Sequence, residues 1–186
     1  MNDRVESVRR LFDGWMSFLS LRVVSHGKEV ERTLVEHPSG AQVLLYDPAR
    51  RVAFVGRQFR LGALHLGYPA LYEAMGGVAD AGDPEACARQ EALEEAGVRV
   101  ETLEFVGHVW MTPSSTTERV HLFLAPYGEA DRVTQGGGLS DDHEHIEIEE
   151  RPLADLWAEA HSGKVFDAKL LLLLQALRIR RPELFQ

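Results

Sequence analysis

Cysteine is almost absent. Cys87 is the only one in 186 residues, which excludes an internal disulfide and a thiolate cage for a metal. Long apolar runs are missing as well: the longest, Leu170 to Leu174, falls far short of the ~20 residues that a helix needs to cross a bilayer. Met1 to Arg10 is charged and carries no apolar signal-peptide core, so no export is expected and the cytoplasm is the expected compartment. Basic residues are the minority charge, with 20 Lys and Arg against 29 Asp and Glu for a net −9. The arginines are scattered rather than set in a stripe with aromatics, so neither nucleic acid nor a membrane is an expected partner. Internal repeats and low-complexity linkers are lacking too. What is present is 45% apolar, which suits one compact domain with a full core. An acidic chain of this kind can still bind anionic substrates if a few arginines and a metal ion are placed to meet them.

Turn chemistry divides the chain. Val5, Val8, Leu11 and Phe12 have helical spacing and lead to Asp13-Gly14, so a helix is expected before that turn and a strand-like segment from Trp15 to Val24 after it. His26-Gly27-Lys28 and Pro38-Ser39-Gly40 bracket a polar strand from Glu29 to Glu36. Apolar strands are expected over Ala41–Tyr46 and Val52–Phe59, joined through Asp47-Pro48, and a short one over Leu71–Met75. Asp83 is a good N-cap, Pro84 suits the first helical position, and Gly97 is a C-terminal stop. Strands at Val98–Met111 and Arg119–Tyr127 follow, then a polar loop from Gly128 to His145. A strand at Ile146–Glu149 leads to a helix opened by Pro152 and another after Asp167. The order predicts an α/β fold with a sheet sandwiched between helices.

Residues 91–97 read E-A-L-E-E-A-G. The spacing i, i+3, i+4 puts Glu91, Glu94 and Glu95 on one face of the expected helix within a single turn. Like charges there repel, and a hard divalent cation would remove the repulsion. A solvated acidic face is the competing reading of the three residues alone, and their flanks decide between the two.

Gly77, an acidic cap and then Q-E-A-L-E-E-A-G-V at 90–98 resemble the Nudix box, G-x5-E-x7-R-E-U-x-E-E-x-G-U with U apolar. The resemblance runs over roughly residues 15 to 180. It takes in R-Q-F-R at 57–60, Y-E-A-M-G-G at 72–77, M-T-P-S-S-T-T-E at 111–118, G-G-G-L-S-D-D-H-E-H-I-E at 136–147 and F-D-A-K at 166–169. Together these are similar to the nucleotide-sugar pyrophosphatases of the Nudix hydrolase family, the GDP-mannose branch first and the ADP-ribose pyrophosphatases next. The box departs from the pattern: its first glutamate falls on Gly82 counted back from the helix and on Asp83 counted forward from Gly77, one residue short. Gln90 stands where the family has arginine, with Arg89 beside it. Either Asp83, by capping, and Arg89 rebuild the brace between loop and helix, or the brace is absent.

The resemblance implies a Nudix α/β/α sandwich with a mixed sheet over residues 41–186, preceded by an N-terminal strand region, 1–40, that builds a homodimer. It implies Mg²⁺, with Mn²⁺ as the alternative, held by Glu91, Glu95 and the carbonyl of Gly76. Glu94 would support a second ion or the attacking water, and Glu144 can complete the metal shell. Glu73 precedes the box glycine on its strand and belongs with substrate binding. Arg57 and Arg60 offer planar forks of donors to phosphate oxygens, against the alternative of ordinary surface ion pairs. Glu118 and Glu144 compete as general base. His143 and His145 read as solvated loop residues, and the glycines at 136–138 as a hinge that lets the loop close. The implied activity is hydrolysis of the pyrophosphate bond of a nucleoside diphosphate sugar to a nucleoside monophosphate and a sugar phosphate. GDP-mannose is the first substrate and ADP-ribose the alternative; a nucleotide-binding domain without catalysis is the rival of another class.

Overall fold

The computed structural model describes residues 3–79, 82–137, 146–165 and 167–186. Three N-terminal strands, β1 (Arg4–Phe12), β2 (Ser17–Ser25) and β3 (Lys28–Glu36), form an antiparallel sheet of their own in that order. The β2–β3 turn places His26 and Gly27 both at positive φ (51° and 76°), as a two-residue hairpin that follows the strand twist demands. β1 overturns the expected helix. Glu6 and Leu11 are extra residues at register shifts, so Val5 faces Val23 while Val8 faces Leu21. A bulge thus puts residues three apart on the same side of a strand, and the spacing imitates a helical one.

The larger sheet is built from β4 (Gly40–Asp47), β5 (Val52–Gln58), β6 (Leu71–Glu73), β7 (Met75–Val78), β8 (Glu104–Trp110), β9 (Arg119–Pro126) and β10 (Glu147–Pro152). Its path is β10-β5-β4-β9-β8, with β6 on β5 and β7 on β4. β4 runs parallel to β9 and antiparallel to β5 and β7, so the sheet is mixed as expected. Three strands differ most from their predicted extents: β10 runs on to Pro152, and the other two are shortened. The segment from Leu71 breaks at Ala74, because its two halves pair with different neighbours. β8 begins only at Glu104; Val98 makes an isolated bridge to Arg132 instead. A short helix, α1 (Leu61–His65), was not signalled by any cap.

Helices cover both faces of this sheet. α2 (Pro84–Ala96) lies on one side, where Ala41, Val43 and Leu45 of β4 meet Ala88, Ala92 and Ala96. α3 (Leu153–His161) and α4 (Ala168–Arg180) lie on the other, with Leu44 and Tyr46 packed among Leu170, Leu173, Leu174 and Leu177. The alternation along β4 follows from its period of two, and the α4 leucines from 3.6. Each buried leucine contributes ~1.5–3 kcal/mol, so this stripe anchors α4. Alanines let α2 lie close to the sheet. None of the described helices is long and apolar enough to cross a membrane.

Away from the cleft described below, the β4–β5 and β10 strands are tied by charge. Asp47 Oδ1 accepts the amides of Ala49 and Arg50, and Arg50 donates to Asp47 Oδ2 at 2.6 Å and to both oxygens of Glu150 at 2.9 and 2.6 Å. The Tyr127 hydroxyl donates to Glu150 at 2.6 Å. Arg50 holds the Glu150 carboxyl below its ordinary pKa; burial works the other way and the Tyr127 bond adds to the lowering. A depressed folded pKa means stability that is present above the unfolded value and lost as pH falls through the folded one. Glu150→Gln is therefore expected to lower Tm at neutral pH, with the gap to the parent closing as pH drops below about 4.5. Thermal melts across that range check it, and a constant gap would remove this pair as a source of acid sensitivity.

Candidate functional site

Gly76 and Gly77 fix where the site forms. β7 pairs with β4 so that Gly76 faces Gln42 and Gly77 faces Ala41. A Cβ on Gly76 would run into the Gln42 side chain and the Ala41 carbonyl, and one on Gly77 would occupy the space of the Glu91 carboxylate. Only glycine permits this approach of strand and helix. Beside it opens a cleft of about 730 Å³.

Sequence punctuation places α2 against this cleft. Asp83 Oδ1 accepts the amides of Glu85 and Ala86 at 3.0 and 3.1 Å, Pro84 opens the helix, and Gly97 closes it at φ 70°. Glu91, Glu94 and Glu95 then share one face, and all three line the cleft. Glu95 is buried and accepts the Gly76 N–H at 2.9 Å. Glu94 accepts from Gln90 Nε2 at 2.9 Å, so the residue in the box's arginine position holds a cleft carboxylate. Among the described residues, Arg89 makes no bond to the loop before α2. Its guanidinium donates to the carbonyls of Val100 and Glu101, tying α2 to the segment that follows it. Gly136 and Gly137 also differ from a simple hinge: a Cβ on Gly136 would strike the backbone of Glu95 and Ala96, and the Gly137 amide donates to the Glu95 carbonyl at 2.6 Å. They cap the helix that carries the carboxylates.

Glu73 and Arg60 meet in the cleft wall through two bonds, Nε to Oε1 at 2.6 Å and Nη2 to Oε2 at 2.9 Å. The Glu73 carboxylate raises the Arg60 pKa above its already high value, so the cation persists at any working pH. Arg57 is outside the lining; it lies over the Tyr72 ring and 3.9 Å from Glu147, which is the surface-pair reading. Glu118 lines the cleft, whereas Glu144, His143 and His145 lie outside the described residues. Asp167 and Lys169 join the lining. Asp167 caps α4 through the Leu170 amide at 2.7 Å and accepts from Lys169 Nζ at 2.6 Å. The sequence showed Asp167 as a helix start and within the F-D-A-K match at 166–169, without a part in the site; the fold brings it to the cleft at the start of α4. Trp15 and His37 also reach the wall, ring edge to ring face at 5.4 Å.

The donor set suits a hard divalent cation: carboxylate oxygens, no sulfur, and an excess of charge. Among the described residues the cleft is lined by six carboxylates (Glu73, Glu91, Glu94, Glu95, Glu118 and Asp167) against two fixed cations, Arg60 and Lys169. As placed, no three His, Cys, Asp or Glu side chains among the described residues converge as a ready cage. Glu94 and Glu95 accept from Gln90 and Gly76, and a carboxylate has acceptor capacity for a cation beside such a bond.

Comparison with known proteins agrees with this geometry. The NUDIX domain matches residues 36–174. The chain is similar to a GDP-mannose pyrophosphatase of Cronobacter sakazakii, 40% identical over 160 residues, covering 85% of this chain and 81% of the relative. One from Pectobacterium atrosepticum is 38% identical over 151 residues, covering 80% and 77%. A solved ADP compounds hydrolase superposes with a TM-score of 0.78 at 15% identity over 98% of this chain and 96% of that one, which concerns the fold. With its box on α2, its glycines on β7 and its helices on both faces of a mixed sheet, the chain belongs to the NUDIX domain family.

Proposed function

We propose that the protein hydrolyses the pyrophosphate bond of a nucleoside diphosphate sugar, GDP-mannose before ADP-ribose, to a nucleoside monophosphate and a sugar phosphate. The observation that carries this reading is the charge of the cleft. Six carboxylates against two cations among the described lining residues would repel a diphosphate unless a divalent cation, Mg²⁺ or Mn²⁺, stood between them. Glu91 and Glu95 with the Gly76 carbonyl would hold it, supported by Glu94. When bound, such a cation supplies positive charge to the phosphate oxygens and makes the attacking water more acidic.

The chain's own residues do the rest. Arg60 and Lys169 direct cationic donors into the same cleft and suit phosphate oxygens. Glu118 or Glu144 takes the proton of the attacking water as its oxygen bonds to one phosphorus and the bridging P–O bond breaks. The relatives' names favour GDP-mannose as substrate. Residues 1–40 serve dimerisation in this reading, with 41–186 as the catalytic domain. Val5, Val8, Phe12 and Trp15 are all more than half exposed, and a second copy would cover such a surface. The working compartment is the cytoplasm.

Phosphate released from each nucleotide sugar in the presence of an added phosphatase, with Mg²⁺ supplied or chelated, tests the reaction. A higher kcat/KM for GDP-mannose than for ADP-ribose is expected, and loss of both on chelation. Preference for ADP-ribose would move the substrate; binding without turnover would leave a non-catalytic domain.

A further inference from the structure

The N-terminal sheet is an outlier in the packing: among the described residues, neither hydrophobic core includes a side chain from β1, β2 or β3. Among the described residues, its hydrogen bonds to the larger domain fall at the loop 112–118 that ends in Glu118. Val35 N–H donates to the Ser115 carbonyl at 2.8 Å, and Thr117 N–H donates to the Val35 carbonyl at 3.0 Å. The Thr117 hydroxyl then closes a reciprocal pair with one residue, accepting the His37 N–H at 2.8 Å and donating to the His37 carbonyl at 3.0 Å. Within the loop, Thr116 Oγ1 accepts the Glu118 amide at 3.2 Å. Glu118 follows directly on this clamp and lines the cleft, as does His37 on its other side.

We propose that Thr117 is a positioning residue for Glu118: its hydroxyl, locked to the His37 backbone, sets where the Glu118 carboxylate stands in the cleft. The inference rests on the reading above, in which Glu118 takes part in the reaction. Its physical basis is that one hydroxyl satisfies both a donor and an acceptor of the same residue, a fit that no apolar side chain of equal volume can reproduce. Thr117→Val would keep the shape and leave both His37 groups without this partner, so that only the backbone bonds to Val35 would hold the register of the loop against β3. Serine keeps both bonds.

The test is a double-mutant cycle on the full chain, read as kcat/KM for the nucleotide sugar. Thr117→Val is expected to lower it by about ten- to a hundredfold, as misplacing a reacting group does, and Thr117→Ser to restore most of it. In a Glu118→Gln background, Thr117→Val is expected to change the rate by less than about twofold, since a residue that acts through another has nothing left to act on. Equal losses in both backgrounds would make Thr117 a structural residue and overturn the proposal. Near-normal activity of Glu118→Gln itself would instead overturn the part given to Glu118, and the role of Thr117 with it. Should Thr117→Val fail to fold, Thr117→Ala run through the same cycle gives the same decision.

Discussion

Glu95→Gln is expected to abolish turnover, by about 10³-fold or more if charge at the phosphates is what the site supplies, while leaving the fold intact. The change is nearly isosteric. The amide oxygen can still accept the Gly76 N–H that Glu95 now takes at 2.9 Å, so the contact between α2 and β7 survives. What is removed is one negative charge from a helix face that also carries Glu91 and Glu94. Without metal, that loss relieves like-charge repulsion, so thermal stability is expected to hold or rise. Stability and activity therefore move in opposite directions, which separates a functional carboxylate from a structural one. Thermal melts in chelator and rates in saturating Mg²⁺ measure the two. Activity near that of the parent protein would sink the metal-helix assignment.

The parts of this site that depend on local spacing were legible in the sequence. Asp83, Pro84 and Gly97 marked α2 correctly because capping is a local matter, settled within one turn of helix. The shared face of Glu91, Glu94 and Glu95 followed from the period alone. β4 was found as an apolar run between turn signals; in the fold its odd residues face α2 and its even ones α4. What failed was register. A bulge in β1 made a strand look helical, and the break at Ala74 was hidden because it depends on which strands lie alongside. Side chains brought in from distant segments were equally invisible. Trp15 enters the cleft through topology, and no spacing within its own segment announces it; Asp167 and Lys169, which also line the cleft, stood only within the F-D-A-K match at 166–169, with no role attached. Arg57 and Arg60 are three residues apart on one motif, yet only Arg60 reaches the lining, where Glu73 holds it by two bonds.

Glu118 and Glu144 are expected to separate by pH. A general base works deprotonated, so the rate climbs with pH through its pKa and the profile has an acidic limb. Glutamine has no such titration. Replacing the true base is therefore expected to slow the reaction by about 10²–10⁴ and to erase that limb. A carboxylate that only completes a metal shell gives a different signature, because its loss weakens cation affinity and more metal restores part of the rate. Glu118 already stands in the cleft wall on a loop tied to the N-terminal sheet. Glu144 would have to reach the cleft from the segment that follows Gly136 and Gly137, whose backbone is anchored on the C-terminus of α2. Rate profiles of Glu118→Gln and Glu144→Gln, each at low and high Mg²⁺, tell the roles apart. Losses below about tenfold in both variants, small against what a general base contributes, would put the base elsewhere and dismiss the two loops as its source.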